Sequence, residues 1–175
     1  VAPRNLTDDP AWDYEPSWSS DGRSLAFVSD RSGYPEIFVQ DITSRQARQL
    51  TFYNSKAHLP AWNPVQPLIA YAALENGWQS IYTIRPDGSD QKQLTATPMQ
   101  ASVPAWFPDG RKLAFVGSLD EHQHGIYTLD MQSGLSALLY KDDGYISHLS
   151  ISADGQWLLF SRNDPVGSNI YALEL

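Results

Sequence analysis

Four corresponding stretches of the chain, residues 8–15, 52–59, 96–103 and 141–148, gather the side chains whose types could do chemistry. The first carries Asp9, Asp13 and Glu15 beside Trp12 and Tyr14, the second Tyr53 and His58, and the last Asp142, Tyr145 and His148. Carboxylates interleaved with aromatics can hold a cation, a sugar or a basic peptide segment. Imidazoles next to carboxylates, here His58 and His148 with Asp13 or Glu15, can also move protons in a lyase or hydrolase. The plainer reading is a solvated acidic rim with aromatic rings packed beneath it.

Other candidates are weaker. His122 and His124 stand two apart, so an extended strand would project both imidazoles to one side, where Asp120 or Glu121 could complete a transition-metal site. That loop also holds a one-residue insertion, and no built metal site is expected there. A Gly-rich phosphate loop, an H-E-x-x-H pair and a serine-nucleophile motif are all missing, and the chain has no cysteine. No catalytic residue and no cofactor is therefore assigned, beyond a cation that acidic loops could hold.

Charge narrows the partners. The net charge is −8, from 12 Lys and Arg against 20 Asp and Glu, and no basic run offsets it. Such a surface repels phosphate backbones, which argues against nucleic acid. The longest wholly apolar run, Leu68–Leu74, is too short to cross a bilayer, which argues against membrane insertion. Six Trp, nine Tyr and six Phe with twelve Pro and eleven Gly point instead to an all-β chain.

A repeat must position these loops. Pro16-Ser-Trp18, Pro60-Ala-Trp62 and Pro104-Ala-Trp106 recur 44 residues apart, and Leu149-Ser-Ile151 is a degenerate fourth copy. An Asp-Gly turn follows at Asp21-Gly22, Asp109-Gly110 and Asp154-Gly155, and Asn63-Pro64 replaces it in the second copy. Beyond it lie an apolar run, then Ile37-Phe38, Ile81-Tyr82, Ile126-Tyr127 or Ile170-Tyr171, then Leu6-Thr7, Leu50-Thr51, Leu94-Thr95 or Leu139-Tyr140. Four short strands joined by hairpins and repeated at this period describe the blades of a β-propeller. The recurrent Trp residues are expected between blades and the recurrent Asp residues in turns. One domain of four blades follows, with boundaries near 8–51, 52–95, 96–140 and 141–175. Residues 1–7 are expected to supply the last strand of the last blade. The strand count closes as a four-bladed ring in one chain, or as an eight-bladed ring in a homodimer, and that closure disfavours the third alternative, a piece of a larger propeller. The monomer is the expectation, since it satisfies its edges without a partner.

The pattern P-x-W-S/F-x-D-G-x-x-L-A-F, then I-Y, then L-T, resembles the TolB-type propeller repeat over essentially the whole chain. The resemblance implies a non-enzymatic interaction module that binds a protein or peptide through channel-mouth loops. The alternative is a carbohydrate-active or other enzyme using the acids and His of that mouth. It also implies a periplasmic or extracellular protein. Val1-Ala2-Pro3 has neither a basic nor an apolar leader character, so any residues encoded before Val1 are expected to form a secretory signal or a transmembrane anchor.

Overall fold

The computed structural model describes residues 2–119, 124–142, 144–165 and 167–175. Four antiparallel sheets are arranged as a four-blade β-propeller. Blade 1 holds β1 (Asp13–Trp18), β2 (Ser24–Ser29), β3 (Glu36–Asp41) and β4 (Ala47–Gln49). Blade 2 holds β5 (Lys56–Trp62), β6 (Ile69–Glu75), β7 (Trp78–Ile84) and β8 (Lys92–Gln93). Blade 3 holds β9 (Gln100–Trp106), β10 (Lys112–Ser118), β11 (His124–Asp130) and β12 (Ser136–Lys141). Blade 4 holds β13 (Tyr145–Ile151), β14 (Trp157–Asp164) and β15 (Gly167–Glu174). Strands β1, β5, β9 and β13 lie innermost and pack on one another in that order.

Each repeated residue has a structural reason. In the turn before β2, Asp21 accepts hydrogen bonds from the Ser19 hydroxyl at 2.6 Å and the Arg23 amide at 3.0 Å, while Gly22 takes a φ of 67°. Asp154 repeats the device with Ser152 and Gln156. The Thr of Leu-Thr extends the ladder where the outermost strand stops, its hydroxyl accepting from Ile37 N in blade 1 and Ile81 N in blade 2. Thr51 also donates to Glu36 at 2.6 Å, and that buried carboxylate accepts from Asn54 N as well.

Pro explains the innermost strands. It has no N–H for the ladder, and the register slips at that point in β1, β5 and β9, and again at Leu149 in β13. The residue before each slip, Glu15, Leu59, Val103 or His148, has a φ between 52° and 56°. A left-handed conformation costs a non-glycine residue about 1–2 kcal/mol, so four matching bulges are held in place by their surroundings.

The core lies between blades. Ala26, Val28 and Ile37 of blade 1 meet Ile69, Tyr71 and Ile84 of blade 2. Ala70 and Ile81 meet Leu113, Phe115 and Leu129, and Ala114, Val116 and Ile126 meet Ile146, Leu158 and Phe160. Complete burial of each large side chain contributes about 2–3 kcal/mol. Trp106 is buried at such a seam, with its indole N–H donating to Ala61 O at 2.9 Å. Trp62 packs against the seam between blades 1 and 2. Trp18 departs from this expectation. No sheet precedes blade 1 among the described residues, and Trp18 is 54% exposed.

The amino-terminal segment corrects another expectation. The fourth sheet has three strands, and residues 2–7 add none to it. They lie on blade 1 instead. Leu6 packs on Leu25, Phe27 and Phe38. Gln40 Nε2 donates to Leu6 O at 2.7 Å, Arg45 Nη2 to Asn5 O at 3.0 Å and Arg4 Nη2 to Ile42 O at 3.2 Å. An apolar face of the first blade and three side-chain hydrogen bonds hold the segment there, away from the edge of β15.

Candidate functional site

The loops that lead into the innermost strands, and the first residues of those strands, carry the expected site residues, and arginines engage Asp9, Asp13 and Asp142. Arg31 Nη2 meets both Asp13 oxygens at 3.0 Å, and its Nη1 lies 3.6 Å from Asp9. The guanidinium also stacks over Phe27 and Phe38, 5.4 and 5.0 Å from the ring centres. Burial would raise the Asp13 pKa, but hydrogen bonds from Ser29, Thr7 and Arg31 outweigh it and hold the carboxyl below its usual range. Blade 4 repeats the arrangement. Arg162 Nε meets both oxygens of buried Asp142 at 2.7 Å, and its guanidinium sits 5.9 Å from the Tyr171 ring centre. Asp142 also accepts from Gly144 N and the Tyr140 hydroxyl. Burial acts to raise its pKa too, and these donors, Arg162 foremost, bring it down.

Three other residues hold the frame together. Glu15 accepts from Leu59 N at 2.5 Å, fastening the bulge of blade 1 to the bulge of blade 2. Tyr14 packs against the seam core, and burial with the nearby Glu15 and Asp30 charges raises its pKa. His58 is 8% exposed and faces the Gln79 amide. Burial, helped by the Lys56 charge, brings its pKa down to about 4, so the ring is neutral and poorly placed to exchange protons with solvent.

Tyr53 leaves the group altogether. Its hydroxyl meets the Tyr71 hydroxyl at 3.1 Å and accepts from Gln91 at 2.6 Å, which places it on the perimeter seam between blades 1 and 2.

Trp12 is 78% exposed, Tyr145 is 68% exposed, and His148 is exposed with Nδ1 3.0 Å from Ser147 Oγ. Trp12, Asp13, Tyr14 and Asp30 line an open hollow of about 560 Å³. On the axis, Pro16, Pro60, Pro104 and Leu149 line a depression of about 540 Å³ with Trp62 and Trp106. The arrangement sets exposed aromatics, Trp12 and Tyr145, beside acids that are ion-paired or hydrogen-bonded.

Among the described residues no three His, Asp or Glu side chains meet as a metal site. Asp120, Glu121 and His122 lie outside the described residues, and His124 Nδ1 sits 3.0 Å from Asp142 O. Arg31 and Arg162 are the partners of Asp13 and Asp142 that loop composition conceals. The available signal was that each stands at a hairpin position where the repeat has no arginine in blade 2 or blade 3.

Known proteins share this architecture. The TolB beta propeller domain matches residues 1–102. The Tol-Pal system protein TolB of Campylobacter jejuni is 53% identical over 34 residues, 19% of this chain and 8% of that protein. A solved structure described as TolB from Agrobacterium tumefaciens superposes with a TM-score of 0.82 at 22% identity, covering 98% of this chain and 61% of that one. An oligogalacturonate lyase solved with manganese gives a TM-score of 0.74 at 17% identity over 95% of this chain and 51% of its own. The chain thus spans less than two thirds of these relatives, and the structural likenesses speak for the fold alone. With the blade repeat, the sheet order and the family match over more than half its length in agreement, the chain belongs to the TolB beta propeller domain family.

Proposed function

We propose that the protein is a non-enzymatic interaction module that takes a protein or peptide segment on the loop face bearing Trp12, Tyr145 and His148. One observation carries this reading. The carboxylates that could have served as acid or base, Asp13, Asp142 and Glu15, are held by Arg31, Arg162 and a backbone amide, while the neighbouring large aromatics face solvent. Exposed aromatics on a rigid scaffold are the usual anchors of protein recognition, because they bury much area at little entropic cost. Net charge −8 favours a basic or neutral segment over an acidic one. Kinship with Tol-Pal system proteins supports a partner in the bacterial envelope and a place outside the cytoplasm.

The test is capture from an envelope extract with wild-type protein and with a Trp12→Ala/Tyr145→Ala variant. A partner retained by the wild type and lost by the variant is expected. Equal recovery by both proteins refutes the assigned face. The rival enzyme is tested on a polysaccharide panel with added divalent metal, and turnover abolished by Asp13→Asn or His148→Gln would establish it instead.

A further inference from the structure

Residues that break the repeat converge away from the axis. The aromatic pair on the second and third strands is Phe27–Phe38 in blade 1, Phe115–Tyr127 in blade 3 and Phe160–Tyr171 in blade 4, each stacked. Blade 2 alone has a hydroxyl on both rings, Tyr71 and Tyr82, with centres 5.8 Å apart. Three more departures surround them. Tyr53 stands where the other repeats have Asp9, Thr97 and Asp142, Glu75 where they have Arg31, Leu119 and Asp164, and Gln91 where they have Ala47 and Ser136.

These groups form a network of two hydrogen-bonded parts joined by contacts between the Tyr53, Tyr71 and Tyr82 rings. Gln91 Nε2 donates to the Tyr53 hydroxyl at 2.6 Å and the Tyr71 hydroxyl at 2.9 Å, and the Tyr82 hydroxyl donates to Glu75 at 2.8 Å. Tyr71 is completely buried. Burying the Tyr71 hydroxyl where the sister blades bury the phenyl rings of Phe27, Phe115 and Phe160 is costly unless it is hydrogen-bonded. Above the network opens a cleft of about 570 Å³, with Phe52, Tyr53, Glu75, Asn76 and Gln91 in its walls. Phe52 is 68% exposed at its mouth.

We infer that this cleft binds a short neutral oligosaccharide, with Phe52 as the stacking platform and Glu75, Asn76 and Gln91 as partners for sugar hydroxyls. Its size lies within the range of small-molecule sites, about 300–1,000 Å³. An open aromatic face beside planar amide and carboxylate groups suits a ring that is apolar on its faces and hydroxylated at its rim. Among the described residues Glu75 is the one charged residue lining the cleft, so uronate oligomers are repelled. A cation would find one carboxylate whose Oε2 already accepts from Tyr82, which is poor compensation for its lost water.

Saturation-transfer NMR on the folded chain with maltotriose, cellotriose, chitotriose, trigalacturonate and tetramethylammonium tests this. At least one neutral trisaccharide is expected to bind, with Phe52→Ala raising its Kd at least about tenfold and Trp12→Ala, on the axial face, leaving it unchanged. Phe52→Ala should leave thermal unfolding in place, because the ring is largely in solvent, so loss of binding is not loss of fold. Three results would overturn the inference: no neutral trisaccharide bound at about 10 mM, binding indifferent to Phe52→Ala, or trigalacturonate or tetramethylammonium binding more tightly than every neutral sugar. The face proposed for protein recognition stands or falls separately.

Discussion

His58 should make the fold lose stability in mild acid, from about pH 6.5 downward, before most carboxylates titrate. The ring is buried on β5 against the Gln79 amide, and its pKa falls from 6.5 to about 4. The unfolded chain takes up a proton on this residue as pH drops through 6.5, whereas the folded chain does so only near 4. Between those values the unfolded state binds more protons, so stability is lost as pH falls. One pH unit corresponds to about 1.4 kcal/mol, so the loss between pH 7.5 and 4.5 comes to about 2–3 kcal/mol from this group. Asp13 and Asp142, whose pKa values are lowered, lose their contribution only below the ordinary carboxylate value and leave this window clear. Urea titrations at both pH values should show the wild-type midpoint falling by about 1 M, taking a slope of about 2 kcal/mol per M. A His58→Gln variant, which keeps a polar neutral side chain beside Gln79, should lose much less. Equal losses in both proteins, or an NMR titration of His58 centred near 6.5, would refute the reasoning.

The frame around the site yields three further expectations. Asp142→Ala removes the acceptor for Arg162, Gly144 N and Tyr140 at a buried position and should cost about 3 kcal/mol by denaturant titration at neutral pH. Trp106→Phe, which deletes the N–H held by Ala61 O, should cost about 1–2 kcal/mol, whereas Trp18→Phe should lie within about 0.5 kcal/mol of wild type. Gly110→Ala should lower the Tm more than Gly22→Ala, although both glycines have a φ of 67°, because a Cβ at Gly110 would lie 2.6 Å from Asn63 Oδ1 and one at Gly22 meets nothing.

Much of the architecture was legible because repetition multiplies weak signals. A single Pro-x-Trp or Asp-Gly says little, but four registers of the same pattern place β1, β5, β9 and β13 and the turns that follow them. What Pro does there was not legible. The left-handed residue is Glu, Leu or Val before Pro and His before Leu149, and no residue type among these announces a bulge. The Leu6-Thr7 pair carries the same letters as Leu50-Thr51, yet Leu6 rests on an apolar patch of blade 1 and forms no outermost strand. Local sequence reports a preference for extended backbone and leaves open which surface receives it.

At the site, composition found the acids and missed their partners. Arg31 lies 18 residues beyond Asp13 and Arg162 lies 20 beyond Asp142. Each pairing depends on the register of a hairpin, β1 with β2 or β13 with β14. Tyr53 illustrates the opposite error, since it stands just before β5 and His58 in the chain but turns outward to Tyr71 and Gln91.

Hydrogen–deuterium exchange on the complex with a captured envelope partner tests the central claim most directly, because it reads every segment of the blade frame at once. The account predicts slowed exchange at residues 8–15 and 144–148, with the hairpins on the opposite side and the outermost strands unchanged. Protection confined to the outermost strands, or none near Trp12 and Tyr145, would contradict it.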